Sequence, residues 1–501
     1  MRTISDMRSV IYLLMLIGLS LGSQGQITPQ VSSVRDSAAQ DGAAQDSTQT
    51  TFSISQLVNM VLAYHPVVQQ AEMVREMARA ELLSAKGNFD PKISAGYDFK
   101  TLQDTEYWDL LHTTLKIPTW IPVDPKITFE RSEGDFINPV DFIDPAADNR
   151  QIIAGISVPF GKGLFIDERR MVVKQARIYQ SIATAEQTKM VNKILLTAIK
   201  DFWEWQLAYQ EVLLLEQSVA IAQELYERLV LDFQFGEAAP VDTIQAMINY
   251  QTRQVEYEEV KFDYLKSQLR LAVHLWSSEG IPLGFQEGVV PDTLSSFGAI
   301  PSEEGLMDMV TWARVFHPEI QKLQGKGSQL EVEQRWNRET LKPQLDFRYS
   351  FIDAPINPQG ETTRPDFNDN YKLGLDFSFP IFLRKERGKL QKTRLKIFSN
   401  DLELQRIKLA IENQLRTSYA ELQMAHKNAQ NYELMAENYF RLVQAELFNL
   451  ETGESDLFKF NIQQDKYINS QLKFLKTQAK TQKLKAELLY EAGYPLLSPV
   501  N

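Results

Sequence analysis

Hydrophobic positions along the chain follow two periods. From Phe52 they recur at helical spacing: Ile54, Leu57, Val58, Val61 and Leu62 share one face. This predicts a helix that breaks at His65-Pro66, because the residue before a proline is pushed out of the helical region. A second helix is expected from Val67 to Lys86, ending at Gly87-Asn88. The period then drops to two. Ile93, Ala95, Tyr97 and Phe99 alternate with Ser94, Gly96, Asp98 and Lys100, and Ile152, Ala154, Ile156, Val158 and Phe160 alternate with Ile153, Gly155 and Ser157. Two more such runs lie in the second half. Leu345, Phe347, Tyr349 and Phe351 alternate with Asp346, Arg348 and Ser350, and Tyr371, Leu373, Leu375, Phe377 and Phe379 with Lys372, Gly374, Asp376 and Ser378. Each run is about nine residues, enough to cross a bilayer as a tilted strand.

Between and after the strands the helical period returns and runs long. A 4-3-4-3 step picks out Ile194, Ala198, Asp201, Trp205, Ala208, Val212, Leu215, Val219, Ala222 and Tyr226, a coiled-coil seam. The same step picks out Ile411, Leu415, Ser418, Leu422, Ala425, Ala429, Tyr432, Ala436, Tyr439 and Val443. The first arm runs from Leu164 to Phe235, about 70 residues and therefore roughly 105 Å of helix. It turns at Gly236 and returns over Val241 to Trp276, covering only about half that distance. The helices between Ile54 and Lys86 are the expected partner for the other half.

The chain reads as two internal repeats. His65-Pro66 recurs as His317-Pro318, Gln69 as Gln321, Pro91 as Pro343, Tyr97 as Tyr349 and Phe99 as Phe351, all at one displacement. Pro159 recurs as Pro380, Gly236 as Gly453 and Tyr250 as Tyr467, at a shorter one. The difference falls between the two strands of each hairpin, where Thr101 to Arg150 is read as a long, proline-bearing exposed loop holding Trp108 and Trp120. The organisation is a signal peptide over residues 1–25, a disordered leader over 26–51, a first repeat over 52–302 and a second over 303–501. The first repeat contains helices, a β-hairpin at 92–160, a long helical hairpin at 164–278 and a connector. The second contains helices, a β-hairpin at 344–382, a helical hairpin at 384–491 and a tail. Arg2 and Arg8, the apolar run from Val10 to Leu21 and the small residues Ser23 and Gly25 carry the signal-peptide reading.

Four membrane strands leave open sheet edges, which hydrocarbon penalises by several kcal/mol for each unpaired backbone group. Closure by further copies follows: two would give eight strands, three would give twelve and a lumen. The fold class is therefore mixed α and β, mostly α. It consists of a long α-helical coiled-coil barrel plus a small transmembrane β-barrel of four strands per protomer, completed by trimerisation in lipid. Asp98, Lys100, Asp346, Arg348, Lys372 and Asp376 occupy the face expected to line the lumen. The rival reading is a non-channel periplasmic coiled-coil tether whose strands are soluble.

Composition narrows the chemistry. A net charge of -12 provides no basic field for a nucleic acid, and the absence of cysteine removes thiol catalysis and thiolate metal sites. The five histidines are not spaced as a helical zinc pair, and the sequence contains neither a Gly-rich phosphate loop opening a helix nor a Gly-x-Ser-x-Gly elbow. No catalytic residue, metal site or cofactor is expected. The His-Pro pairs read as backbone devices at helix breaks.

The doubled order of His-Pro breaks, the strand exits Val158-Pro159-Phe160 and Phe379-Pro380-Ile381, and the turns around Phe235-Gly236 and Thr452-Gly453 resembles the TolC-type outer-membrane efflux proteins, over nearly all of residues 52–494. The resemblance implies a homotrimer, set in outer-membrane lipid, acting as the passive exit duct of a tripartite efflux or type I secretion system. It also implies docking at the tunnel tip to a periplasmic adaptor (membrane fusion) protein, and through it to an inner-membrane efflux pump or secretion ATPase. On that reading Gly236, Glu237, Asp242, Gly453, Glu454 and Ser455 form the docking tips. Asp232, Glu451, Glu454 and Asp456, with Glu237, form acidic rings at the tunnel entrance. The bland role of Asp242, with Gln245, is a capping box, and Gly236 and Gly453 supply turn conformations that other residues resist.

Overall fold

The structure is a computed structural model that describes residues 50–143, 148–236, 238–286, 288–292, 299–353 and 370–496. The signal peptide and almost all of the leader lie outside the described residues. The leader was expected to extend through Thr51, but Thr50–Phe52 forms strand β1, which pairs in parallel with β6, Val289–Pro291. The connector is thereby held against the helices: Phe285 packs 4.9 Å from the Trp205 ring, and Phe52 packs on both Phe202 and Trp205.

Helices α1 (Ile54–Tyr64) and α2 (Pro66–Lys86) precede a run of four strands, β2 (Lys92–Leu102), β3 (Thr105–Lys116), β4 (Asp124–Glu133) and β5 (Arg150–Pro159). Then come the long α3 (Glu168–Gln234) and the shorter α4 (Pro240–Ala272). After β6 the order of helix, helix, strands, long helix, shorter helix occurs again. Its members are α5 (Glu303–Phe316), α6 (Pro318–Glu339), β7 (Gln344–Asp353), β8 (Tyr371–Ser378), α7 (Arg384–Glu451) and α8 (Leu457–Glu491). At 67 residues α3 extends about 100 Å. It packs against α2, α1 and α4, so the pairing expected from length alone is present. It also packs against α6 and α8 of the second half. Reciprocal amide contacts join Gln175 to the Gln329 carbonyl (3.2 Å) and Gln329 to the Gln175 carbonyl (3.0 Å), and Lys200 pairs with Glu487 at 2.9 Å.

The expected seams are the cores. In the first, Ala198, Trp205, Leu215 and Ala222 are buried, as are Leu415, Leu422, Ala425 and Ala429 in the second. The largest cluster joins Leu57, Val58 and Val61 of α1 to Leu195, Phe202 and Trp205 of α3 and Leu271 of α4. A counterpart joins Leu306, Val310 and Ala313 of α5 to Leu415, Tyr419 and Leu422 of α7 and Leu488 of α8.

Both His-Pro pairs are helix breaks. His65 and His317 have extended backbones, each followed by a proline at the first position of the next helix, and each imidazole Nδ1 accepts from the backbone N–H two residues on. Burial lowers the pKa of His317 to about 4, with the Glu319 carboxylate opposing the shift and the Lys189 ammonium adding to it. Between the unfolded value near 6.5 and the folded value, only the unfolded chain takes up this proton. Stability contributed here is therefore intact above pH 6.5 and declines as pH falls toward 4, by about 3 kcal/mol at most. Thermal melts at pH 7, 5.5 and 4 should show this loss. His317→Asn, which keeps an acceptor for the cap, should flatten the contribution, and an unchanged pH dependence in the variant would count against it.

The sheet departs from expectation. Its order is β2-β3-β4-β5-β7-β8, six strands and antiparallel throughout. The segment 101–150, read as a loop, carries β3 and β4, so β2 and β5 do not pair as one hairpin, and the sheet has six strands among the described residues where four were expected. Two features hid β3. Trp108, Leu110 and Leu111 put apolar groups on both of its faces, and Pro118, Pro122 and Pro125 crowd its junction with β4.

Candidate functional site: the helical tip and the two-faced sheet

The turns at Gly236 and Gly453 come to one end of the helices. There Leu225, Tyr226 and Leu229 of α3, Ala246 of α4, Val443 and Leu447 of α7, and Leu457 and Phe460 of α8 form a single cluster. Polar contacts lock the two hairpins together. The Asn249 amide donates to Asn461 Oδ1 at 2.9 Å, and the buried Arg253 guanidinium binds Asp465 of the other hairpin and Glu256 of its own.

Gly236 and Gly453 share φ +77°, and the space a Cβ would enter is empty at both. Around Gly453 the N–H groups of Glu454 and Ser455 both donate to the Asn449 carbonyl, at 2.8 and 3.1 Å. The Ser455 hydroxyl binds Glu446. Asp456 is the N-cap of α8, its Oδ1 accepting from the Lys459 N–H at 2.9 Å. That bond holds its carboxyl below the usual range, with help from the Lys459 ammonium. Asp242 is not itself the N-cap. Pro240 starts α4 at its first position, and Asp242 Oδ2 reaches back to accept from the Ala239 N–H at 3.3 Å. Asp232 is half-buried, Glu454 is exposed, Glu451 ends α7, and Glu237 lies outside the described residues.

Sequence reasoning passed over the apolar residues of this end. Phe235 is 78 % exposed, and Ile244, Phe448 and Phe458 are also largely exposed. The signal was present, since each sits beside a turn where a solvated helix end has no need of an aromatic or β-branched group.

The sheet separates its residues by face. Register puts Ile93, Leu115, Ile127, Ala154 and Phe351 in one row, and Ile156, Tyr349 and Leu373 in another on the same side. Ile93, Tyr97, Phe99, Leu373, Leu375 and Phe377 of this face are exposed. Asp98, Lys100, Asp346, Arg348, Lys372 and Asp376 all fall on the opposite face, with Ser94, Lys126, Glu130 and Gln151. Across that face Arg348 pairs with Asp376 at 2.5 Å, Gln151 donates to Glu130 at 2.7 Å, and Lys100 lies 4.5 Å over the Trp108 ring. Helix α4 also carries a solvent-facing apolar stripe of Val241, Ile248, Val255, Phe262 and Leu269.

Among the described residues, no helix is long and apolar enough to cross a membrane and no three histidine, aspartate or glutamate side chains cluster as a metal site. No family model and no curated protein matches the sequence. Solved structures do. The Campylobacter jejuni CmeC outer membrane channel is 13% identical at TM-score 0.62, with 93% of this chain and 94% of that chain covered. The open state of the Neisseria gonorrhoeae MtrE outer membrane channel is 12% identical at 0.61, with 94% and 98% covered. The Vibrio cholerae outer membrane protein VceC is 12% identical at 0.61, with 88% and 96% covered. At these identities the likeness is one of fold: the chain has the fold of the TolC-type outer-membrane channels.

Proposed function

We propose that this protein is an outer-membrane channel, a passive exit duct that assembles as a homotrimer and docks by its helical tip to a periplasmic adaptor and an inner-membrane pump or secretion ATPase. The observation that carries the reading is the two-faced sheet. A soluble cap on a helical tether would bury its apolar face, whereas here that face is open and the opposite one holds most of the charges. The outer edges of β2 and β8, unpaired among the described residues, call for neighbouring strands, and the exposed stripe on α4 calls for neighbouring helices. Asp98, Lys100, Asp346, Arg348, Lys372 and Asp376 would line the lumen. Heat-modifiable mobility of an oligomer that resists carbonate extraction is the expected result. A monomer released by carbonate would remove the channel and leave the tether.

At the tip, Phe235, Ile244, Phe448 and Phe458 would supply apolar anchors for the adaptor, and the acidic groups their polar rim. Asp232, Glu451, Glu454 and Asp456, tripled by symmetry, would favour cations at the entrance. Because Asp456 is also a cap, its charge is best removed as Asp456→Asn, which retains an acceptor. In planar bilayers the Glu454→Gln, Asp456→Asn double variant should lose a several-fold share of cation over anion preference. Unchanged selectivity would remove the acidic ring from the account while leaving the channel intact.

A further inference from the structure

The inserted strands β3 and β4 stand inside the sheet, not beside it. β3 pairs with β2 from Lys92↔Lys116 to Leu102↔Thr105, and β4 pairs with β5 from Asp124↔Ser157 to Arg131↔Arg150. Among the described residues no other pairing joins β2 to the rest of the sheet. We infer that this hairpin is part of the membrane wall, so that three copies close eighteen strands rather than twelve. The inference rests on the channel reading above and adds the calibre of its exit.

Three observations support it. First, β4 and the end of β3 nearest the helices keep the two faces of their neighbours. Leu115, Ile127 and Phe129 continue the apolar side, and Lys126, Thr128 and Glu130 the polar side, where Thr128 meets Thr114 at 3.2 Å. Second, the charged residues on the apolar side are gathered at one end of the strands, where Arg131 of β4 faces both Asp109 and Glu133. Arg131 donates to Asp109 at 2.9 Å, and the Tyr97 hydroxyl donates to the same carboxylate at 3.1 Å. An ion pair at a strand end, with a tyrosine beside it, suits the rim of an apolar band rather than its middle. Third, β2 is shaped for β3. Gly96 faces His112, and a Cβ at Gly96 would overlap the imidazole ring. The same device recurs at Gly374 opposite Arg348, where the guanidinium lies over the glycine. The turn between β3 and β4 is pinned at the helical end of the sheet: Arg169 at the start of α3 binds Asp124 at 3.2 Å, and the Arg177 guanidinium lies over Trp120. A lid at the far mouth would have no such anchor.

Strands about 4.8 Å apart and tilted by about 40° close to a backbone diameter of roughly 36 Å for eighteen and roughly 24 Å for twelve, a one-and-a-half-fold wider mouth.

Imaging of the full-length protein in lipid nanodiscs should resolve eighteen strands. Twelve strands around the wall, with the hairpin in the lumen or outside, would overturn the inference and leave the channel standing; absence of a membrane-embedded oligomer would instead remove the channel itself. A second measurement does not depend on imaging. The chain has no cysteine, so single cysteines at Lys126, Ile127, Phe129 and Glu130 can be labelled in proteoliposomes; Thr128, buried against its neighbours, is left out. Positions 126 and 130 should react with a water-soluble thiol reagent several-fold faster than 127 and 129, whose attached fluorophores should be quenched from the lipid. Equal reactivity at all four positions would overturn the inference.

Discussion

Replacing Gly236 and Gly453 together with tryptophan is expected to abolish export while the oligomer still reaches the outer membrane. Both glycines sit at φ +77° in turns where an added Cβ meets nothing within 4 Å beyond its chain neighbours, so a side chain can leave the turn without a clash at its first atom. The cost is then the left-handed backbone alone, about 1–2 kcal/mol at each turn. That is small beside the buried seams below the turns. What changes is the outline of the tip, where Phe235 and Phe458 already stand exposed and a rigid ring would displace any partner seated between them. Sensitivity of a cell dependent on this channel to an exported toxic compound should return to the level of a deletion strain, with surface abundance and heat-modifiable mobility unchanged. Survival of resistance in the double variant would move the docking site away from the turns.

The second large effect is on stability. Trp205→Ala should cost about 3–5 kcal/mol, the range for removing a large aromatic from a packed interior. The indole is fully buried and touches Phe52, Phe202 and Phe285, so it joins the leader strand, the long helix and the connector. Its removal opens a cavity that three separate segments line, and none of them can move in alone. A lowered midpoint in the loss of helical dichroism is expected, together with faster proteolysis near Phe285. The conservative Trp205→Phe should recover most of the difference. A midpoint for Trp205→Ala within a degree or two of the parent would show that the cluster does not hold the connector.

The helices were legible because long seams are a local property. A residue such as Leu415 or Ala429 is buried because of its place in a 4-3-4-3 series, and the series can be counted along the chain. The His-Pro breaks and the glycine turns were legible for a related reason, since proline and glycine restrict or release the backbone wherever they stand. The capping of α4 was misread by three residues, since Ala239 rather than Asp242 is the N-cap. Pro240 moved the helix start, and Asp242 took the reaching role instead of the capping one.

The strands divide differently. β2, β5, β7 and β8 alternate cleanly, and the chain alone determined which residues share a face. β3 and β4 do not announce themselves, because Leu110 and Trp108 fall on the polar side and Asp109 and Arg131 on the apolar side. Three of the four have a partner from another strand: Lys100 lies over Trp108, and Tyr97 and Arg131 both bind Asp109. Only the sheet, by bringing distant segments into register, could make those residues strand-like. Periodicity records what a residue's own neighbours require, whereas the width of the sheet, the docking of the connector on Trp205 and the meeting of the two turns depend on pairings between segments far apart in the chain.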